Sequence, residues 1–264
     1  MSHQPTAELD PVQGTARRRL IAEVCIVLAL SLGASAVYSV LELVDRLTDA
    51  ASLANQTVPL NTSDSPKPWL DLLYQLAANT LRLAPPVLAV YLLAGPSAKS
   101  WFAAGCRRIG LTPKPGPDLG WGVVLTLAIG LPGIGVYLAG VHLGLTAHVS
   151  TANLGLHWWT VPVLIFAALR NALVEEVIVV GYLATRLGQL GWSTAGWIAA
   201  SSLLRGTYHL YQGFGQGIGN VAMGLVFAWF YHRTGRVMPL VCAHALIDIV
   251  AFVGPSLVSL SWLA

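Results

Sequence analysis

The sequence predicts an all-α membrane protein, a polytopic bundle of about seven to eight transmembrane helices around a buried intramembrane polar site. The composition predicts this class: 55% of the residues are hydrophobic, only 10% are charged, and the mean hydropathy is +0.64. An average soluble domain carries about 25% charged residues, so this chain lacks the polar surface that water requires. The apolar residues also come in runs of roughly 20, the length of a helix that crosses a bilayer.

The predicted helices form one transmembrane domain over residues 20–264. Residues 1–19 are expected to be a flexible cytoplasmic tail. The apolar run from 20 to about 44 is long enough for one transmembrane helix, and the polar stretch 45–68 is predicted to be a loop. The other predicted spans are 70–94 with a kink at Pro85-Pro86, 119–143, 160–187, 195–210, 214–232 and 237–254, with an additional half-helix near 253–263.

Lysine and arginine are distributed unequally between the two sets of loops. Ten of them lie in the loops on the side of the N-terminus, and two, Arg46 and Lys67, lie in the opposite loops. Positive charge is enriched in cytoplasmic loops, so the N-terminus is predicted to be cytoplasmic. We expect a multi-pass plasma-membrane protein with the lipid bilayer as a partner. The N-terminal arginines and the lack of a clear eukaryotic targeting segment favour a bacterial membrane.

Charge and cysteine content disfavour several other functions. The net charge is only +3, and the one basic block is Arg17-Arg18-Arg19, so no nucleic-acid partner is expected. The three cysteines lack CxxC spacing and therefore predict neither a disulfide framework nor a zinc knuckle. The oligomeric state stays open at this point.

Ionisable side chains inside three predicted spans mark a candidate site. Each costs about 2.5–3.5 kcal/mol in hydrocarbon and so needs a partner or a function. Arg205 and His209 are four residues apart, and so are His244 and Asp248, so the two residues of each pair share one helix face. Counting the helix rise from the cytoplasmic ends places all of these residues at depths of roughly 10–21 Å, in one layer. The residues are Glu175, Glu176, Arg205, His209, His244 and Asp248.

Carboxylates beside imidazoles in a low-dielectric layer suit hydrolysis of an amide by activated water. Adjacent glutamates cannot easily both stay charged there, and one of them is a suitable general base. Neutral imidazoles can position the water or donate to a tetrahedral oxyanion. Serine catalysis is disfavoured, because the chain has no GxSxG motif and no base lies near Ser201 or Ser202 on their own helix.

The spacing of these residues resembles the motifs of the CPBP family, the CAAX-protease and bacteriocin-processing membrane proteins also called the Abi family. The family motifs read EExxxxR or EExxxR, then FxxxH, then HxxxN or HxxxD. The corresponding segments lie in a core of about 160–255 and are Glu175-Glu176, Arg205 to His209, and His244 to Asp248.

The resemblance implies an intramembrane endopeptidase, of the glutamic or metalloprotease type, that cleaves a peptide or lipidated-peptide substrate. It implies that Glu175 activates water with the help of His209. It further implies that His244 and Asp248 stabilise the oxyanion. Glu176 completes the set of candidate catalytic residues.

The sequence departs from the family pattern at two positions. Val180 stands where an arginine usually follows the glutamates, and Arg205 stands at the aromatic position of the second motif. We expect Arg205 to supply the missing positive charge to Glu176 from the neighbouring helix. The role of Asp248 depends on its protonation state, because an ionised aspartate repels an oxyanion whereas a protonated one can donate a hydrogen bond to it.

Other interpretations of the same residues stay open. The pocket is also compatible with a non-catalytic membrane scaffold or bacteriocin-immunity-type protein, or with a proton-coupled transporter, although no inverted repeat is visible. No cofactor is expected, and no HExxH helix is present. Zinc, if bound, would take Glu175, His209, His244 and Asp248 as ligands. Asn220, in a glycine-rich stretch, is predicted to support the site or to bond a neighbouring helix.

Overall fold

The computed structural model describes residues 11–95, 98–150 and 153–257, and most of these residues are helical, which confirms the all-α class. A π-helical segment, Glu176–Tyr182, joins two of the helices, and short 3-10 turns lie at Leu53–Asn55 and Leu210–Gln212. The α-helices are α1 (Gly14–Ala29), α2 (Leu32–Thr48), α3 (Pro68–Leu81), α4 (Ala84–Ala94), α5 (Trp101–Arg108), α6 (Pro115–His142), α7 (Thr160–Glu175), α8 (Leu183–Gln189), α9 (Thr194–Thr207), α10 (Phe214–Thr234) and α11 (Met238–Leu257).

Two helical stretches in the described ranges are long and apolar enough to cross a membrane, judged by length and composition alone: Pro68–Ala94 and Pro115–His142. The pair α1 and α2 would add a third if it forms one span. The side chains that α6 exposes are largely apolar, as expected for contact with lipid, and include Leu119, Val123, Val124, Leu127, Leu131 and Ile134. The seven-span count and the orientation stay predictions.

The first predicted span is broken, so the prediction of one continuous helix from 20 to 44 is wrong. Helices α1 and α2 meet at an angle of 52°. At the break the Ser31 hydroxyl donates to the Val27 carbonyl at 2.6 Å, a local bond that competes with the helical ladder. A Cβ atom at Gly33 would lie 2.7 Å from the Leu28 carbonyl oxygen, so the tight bend depends on glycine.

The second predicted span has the expected interruption near its prolines. Helix α3 ends at Leu81, and α4 begins at Ala84, directly before Pro85-Pro86. Proline is favoured in the first turn of a helix and disfavours helical backbone in the residue before it, which explains why the break precedes the pair. Arg82 lies in the short connection between the two helices.

The stretch 45–68 was predicted to be a loop, and it contains a strand that sequence analysis missed. Strand β1 (Thr57–Pro59) pairs in parallel with β2 (His148–Ser150), with Val58 opposite Val149. Val58 is only 2% exposed. Three residues are too short a run to show alternation, and the pairing partner is distant in sequence, so the pattern carried no usable signal.

The helices around the predicted site pack in two groups: α9 packs closely against α10, and α11 packs against α6 and α7, while α6 also contacts α10. A Cβ atom at Gly206 on α9 would lie 2.8 Å from the Gly217 carbonyl oxygen on α10, and one at Gly224 would lie 2.8 Å from Ser202 Cα. The glycines Gly217 and Gly224 of α10 therefore allow close contact with α9. The Thr126 hydroxyl of α6 lies 3.1 Å from the Ala243 carbonyl oxygen of α11.

The ends of the chain match the predicted boundaries only in part. Helix α1 begins at Gly14, inside the predicted tail, and residues 1–10 lie outside the described residues. A separate half-helix was predicted to begin near 253, but α11 continues without a break to Leu257. The rest of that half-helix, from residue 258, lies outside the described residues.

Candidate functional site

The two glutamates lie where α7 changes into the π-helical segment. Glu175 is the last residue of α7 and Glu176 is the first of the wider turn, with exposed fractions of 8% and 0%. The Ser201 hydroxyl of α9 donates to the Val179 carbonyl at 2.7 Å, which satisfies a backbone acceptor inside the wide turn. π-Helical turns occur often at functional sites, where they change the direction of side chains.

Arg205 lies on α9 and forms ion pairs with both glutamates. Its Nη2 atom is 2.7 Å from Glu176 Oε1, and its Nη1 atom is 3.3 Å from Glu175 Oε2. The arginine is fully buried and packs over the Phe227 ring at 5.5 Å. Val180 is also fully buried. The positive charge next to the glutamates thus lies on the neighbouring helix, at Arg205; that it replaces an arginine at position 180 stays a prediction.

Tyr208 belongs to the site and was missed by sequence analysis. Its hydroxyl donates to Glu175 Oε2 at 2.7 Å, and the residue is only 5% exposed. The available signal was its position three residues after Arg205, about one helical turn away. Tyr208 and Arg205 therefore hold the same oxygen of Glu175 from one side.

The third motif is on α11 and contacts Glu176. His244 Nδ1 donates to Glu176 Oε1 at 2.7 Å, and its Nε2 atom is 3.7 Å from Asp248 Oδ1. The Asn171 amide of α7 donates to Asp248 Oδ2 at 3.0 Å. A continuous polar network thus links α7, α9 and α11, the three helices on which the candidate residues were predicted.

His209 follows α9 and is half-buried. Its Nδ1 atom donates to the Arg205 carbonyl at 3.0 Å, since a carbonyl oxygen can only accept. In the neutral ring, Nε2 is then free to accept a proton or a hydrogen bond.

A cavity of about 810 Å³ brings these groups together. Its wall includes Glu175, Tyr208, His209, His244 and Asp248. Asn220 is not brought to this wall. Its amide donates back to the Gln216 carbonyl at 3.0 Å, so the side chain is used within its own helix.

Comparison with protein families gives a match to the model described as "Rce1-like: Type II CAAX prenyl endopeptidase Rce1-like", over residues 157–250. The CPBP resemblance is thereby confirmed. The matched segment begins shortly before α7 and ends within α11, so it contains all the motif residues. Neither the search of curated proteins nor that of solved structures gave a match. The apolar helices indicate a membrane protein, and over residues 157–250 the chain is similar to a family of proteases.

The Rce1-like segment holds a group of donors that could in principle bind a metal ion. One atom each from Glu175, Glu176 and His244 lie within 4.8 Å of one another. This set differs from the predicted zinc ligands, since it contains Glu176 and lacks His209 and Asp248. Glu176 Oε1 already accepts from both Arg205 and His244, and the guanidinium would repel a cation at that oxygen. The donor set therefore fits a divalent ion poorly.

Proposed function

We propose that this protein is an intramembrane endopeptidase in which Glu175 activates the attacking water. The main support is the arrangement of the Glu175 carboxylate in the cavity wall. Its Oε2 atom is held by Tyr208 and Arg205, whereas Oε1 accepts no hydrogen bond from the described residues. The side chain remains 11% exposed. A buried carboxylate with one fixed and one open oxygen is suited to bind and deprotonate a water molecule.

The proposed reaction needs no covalent intermediate with the protein. The oxygen of water bonds to the carbonyl carbon of the peptide while its proton passes to Glu175. Glu175 then returns the proton to the leaving nitrogen, and the C–N bond breaks. His209, with its Nε2 free, is suited to position the water. His244 in its imidazolium form can donate from Nε2 to the oxyanion, and Asp248 beside it can donate when protonated.

Arg205 has a supporting role in this proposal. One guanidinium lies between two carboxylates, and its shorter contact is to Glu176. Glu176 is thus largely neutralised by Arg205 and His244, which leaves Glu175 to act as the base. The same compensation supports a metal-independent reaction, because the charge that a metal would supply is provided by the guanidinium.

The test is cleavage by the purified protein in detergent. A quenched peptide library with and without a C-terminal prenyl-cysteine motif is offered to the wild type and to Glu175→Gln. Asp45→Asn, an exposed carboxylate-to-amide change, is the matched control. We expect the wild type and the control to cleave and Glu175→Gln to lose nearly all activity. Full cleavage by a folded Glu175→Gln protein would remove Glu175 as the base.

A non-catalytic scaffold is the second candidate function, and the buried ion pairs favour it. Arg205 is fully buried and forms ion pairs with both glutamates. In this alternative the ion pairs have a structural role only, which is to hold α7 and α9 together. This alternative predicts that the wild type cleaves no peptide of the library. It also predicts that cells carrying Glu175→Gln behave like cells carrying the wild-type protein.

We also propose a bacterial plasma-membrane location with a cytoplasmic N-terminus and a peptide or lipidated peptide as substrate. The unequal loop charges support the orientation, and the matched family model supports the substrate class. Labelling of cysteines introduced into single loops by a membrane-impermeant reagent tests the orientation. Labelling of a cysteine near residue 50 but not of one near 190 on intact cells is the expected result.

A further inference from the structure

The described loops lie on two opposite faces of the protein. One of them, which we call the N-terminal face, contains the segment before α1, the end of α8 and the connections α5–α6 and α10–α11. The Val12 N–H donates to the Gln189 carbonyl at 3.0 Å and so joins the first two of these segments. The Val237 N–H donates to the Ile109 carbonyl at 3.0 Å and joins the two connections. Most of the lysines and arginines of the loops lie on this face.

The other face, which we call the opposite face, contains the paired strands β1 and β2. The Ala147 N–H, after α6, donates at 3.0 Å to the carbonyl of Gln212 in the 3-10 turn between α9 and α10. The His148 N–H donates at 3.0 Å to the Gln56 carbonyl. Helices α6 and α11 run from the N-terminal face to the opposite face, and α7 runs back. The two faces therefore correspond to the two ends of the predicted spans.

The cavity of about 810 Å³ extends from Glu175 towards the opposite face. Glu175 ends a helix of 16 residues that begins at Thr160 on that face, so it lies at a depth of roughly 22 Å. The wall reaches Leu60, next to β1, and Gln212. None of the described residues that line the cavity belongs to a connection on the N-terminal face. The wall also has an apolar part, which consists of Ala78, Leu81, Pro85, Val174 and Phe252.

On the other side of the glutamates, towards the N-terminal face, the helices are closely packed. The π-helical residues 177–180 belong to one hydrophobic cluster with Ile109, Val237 and Leu240, and these three side chains are fully buried. A Cβ atom at Gly181 would lie 3.1 Å from Ile109 Cβ and 3.0 Å from Val237 Cγ2. An interior packed in this way leaves no passage for a peptide. The site is therefore closed towards the N-terminal face.

The exposure of the acidic side chains changes in the same direction. The side chain of Asp248 is 16% exposed and that of Glu175 is 11% exposed, whereas that of Glu176 is 0% exposed. Asp248 and Glu175 line the cavity, and Glu176 directly precedes the residues of the packed cluster. The exposed surface of the site thus lies on the side of the cavity and of the opposite face.

We propose that the cavity receives its substrate from the opposite face, so that the substrate is a peptide segment that enters the bilayer from the extracytoplasmic side. This inference rests on the proposed function and on the proposed orientation. The unequal loop charges support a cytoplasmic N-terminal face, which places the opposite face outside.

The chemistry of the cavity narrows the class of substrate. The apolar part of the wall suits an apolar segment, because apolar side chains are removed from water there. The polar groups that would act on the peptide bond lie at the deep end, at Glu175 and His244. An exported or membrane-inserted peptide reaches this end from outside. A chain confined to the cytoplasm would instead meet the packed cluster.

The test is the labelling of single cysteines from each side of the membrane. Ala78→Cys places a thiol in the cavity wall, and Ala228→Cys places one in the packed cluster as the matched control. The exposed residues Ser52 and Ser100, each changed to cysteine, mark the opposite face and the N-terminal face. The native cysteines are first replaced by alanine; they are Cys25, Cys106 and Cys242. A charged methanethiosulfonate that does not cross membranes is applied to spheroplasts and to inverted vesicles.

We expect Ala78→Cys to be labelled in spheroplasts, together with Ser52→Cys, and not in inverted vesicles, where Ser100→Cys is labelled. Ala228→Cys should be labelled in neither preparation. Labelling of Ala78→Cys in inverted vesicles, or in neither preparation, would overturn the proposal. Labelling of Ser52→Cys only in inverted vesicles would overturn it as well, because the opposite face would then be cytoplasmic.

Cleavage from each side separates this inference from the proposed function, because labelling does not require activity. A charged quenched peptide that does not cross membranes is supplied to the same two preparations of the wild type and of Glu175→Gln. We expect the wild type to cleave it in spheroplasts only. Cleavage in inverted vesicles only would overturn this inference and leave the proposed function in place. The expected labelling without cleavage in either preparation would support the opening and count against the proposed function.

Discussion

Arg205→Leu removes the guanidinium that pairs with two buried glutamates, and the structure predicts a large loss of stability. Glu176 is fully buried, and among the described residues only Arg205 and His244 form hydrogen bonds or ion pairs with its carboxylate. Removing one partner of a buried ion pair costs about 3–5 kcal/mol, because it leaves an uncompensated charge. For a protein of this size each kcal/mol lowers the unfolding midpoint by about 2–4 °C, so we expect a fall of roughly 6–20 °C.

The double variant Arg205→Leu/Glu176→Gln tests whether charge is the cause. Removing both charges of the pair should recover most of the loss, since replacing a buried ion pair with neutral groups is often close to neutral in stability. Thermal unfolding of the four proteins of this cycle in one detergent gives the coupling energy, which we expect to exceed about 1 kcal/mol. An Arg205→Leu protein as stable as the wild type, or a double variant no better than Arg205→Leu, would refute the reasoning.

Four further outcomes are expected. Val180→Arg, which restores the arginine of the family pattern, should recover part of the folding or activity lost in Arg205→Leu; no recovery would show that the two positions do not exchange one charge. Tyr208→Phe should lower kcat by roughly tenfold or more with little change in KM, because it frees the Glu175 oxygen that the hydroxyl holds; unchanged kinetics would argue against a role for that bond. Gly224→Ala should destabilise by about 1–3 kcal/mol, because its Cβ atom would press against the Ser202 backbone, whereas Gly120→Ala, with nothing within 4 Å, should not. Metal chelators should leave cleavage unchanged, and loss of activity that zinc restores would contradict the metal-independent reaction.

Local sequence patterns were sufficient for most of the helices. Apolar runs, proline breaks and glycine-rich contacts depend on residues close in sequence, and the helices at 68–94, 115–142 and 214–234 lie near their predicted positions. The bend between α1 and α2 was missed, because it depends on the hydroxyl of Ser31 and the close approach at Gly33 inside an otherwise apolar run. Strand β1 was missed, because it exists only through its pairing with β2.

The sequence by itself predicted which ionisable groups lie inside apolar helices and that they share one layer. Spacing of four residues and the helix rise were enough to place glutamate, arginine and histidine in one layer, since both follow from α-helical geometry. The comparison with the family motifs indicated Arg205 as a replacement for the arginine absent at Val180, and the ion pairs of Arg205 with the glutamates agree with it.

Only the tertiary structure decided how those groups pair. The π-helical turn at Glu176, the hydroxyl of Tyr208 on Glu175 and the contact of His244 with Glu176 depend on how α7, α9 and α11 pack. The wall that Arg82 shares with Arg170 likewise joins segments far apart in sequence. Helical periodicity relates residues within one helix, whereas contacts between helices depend on the packing of whole surfaces, which a single sequence does not specify residue by residue.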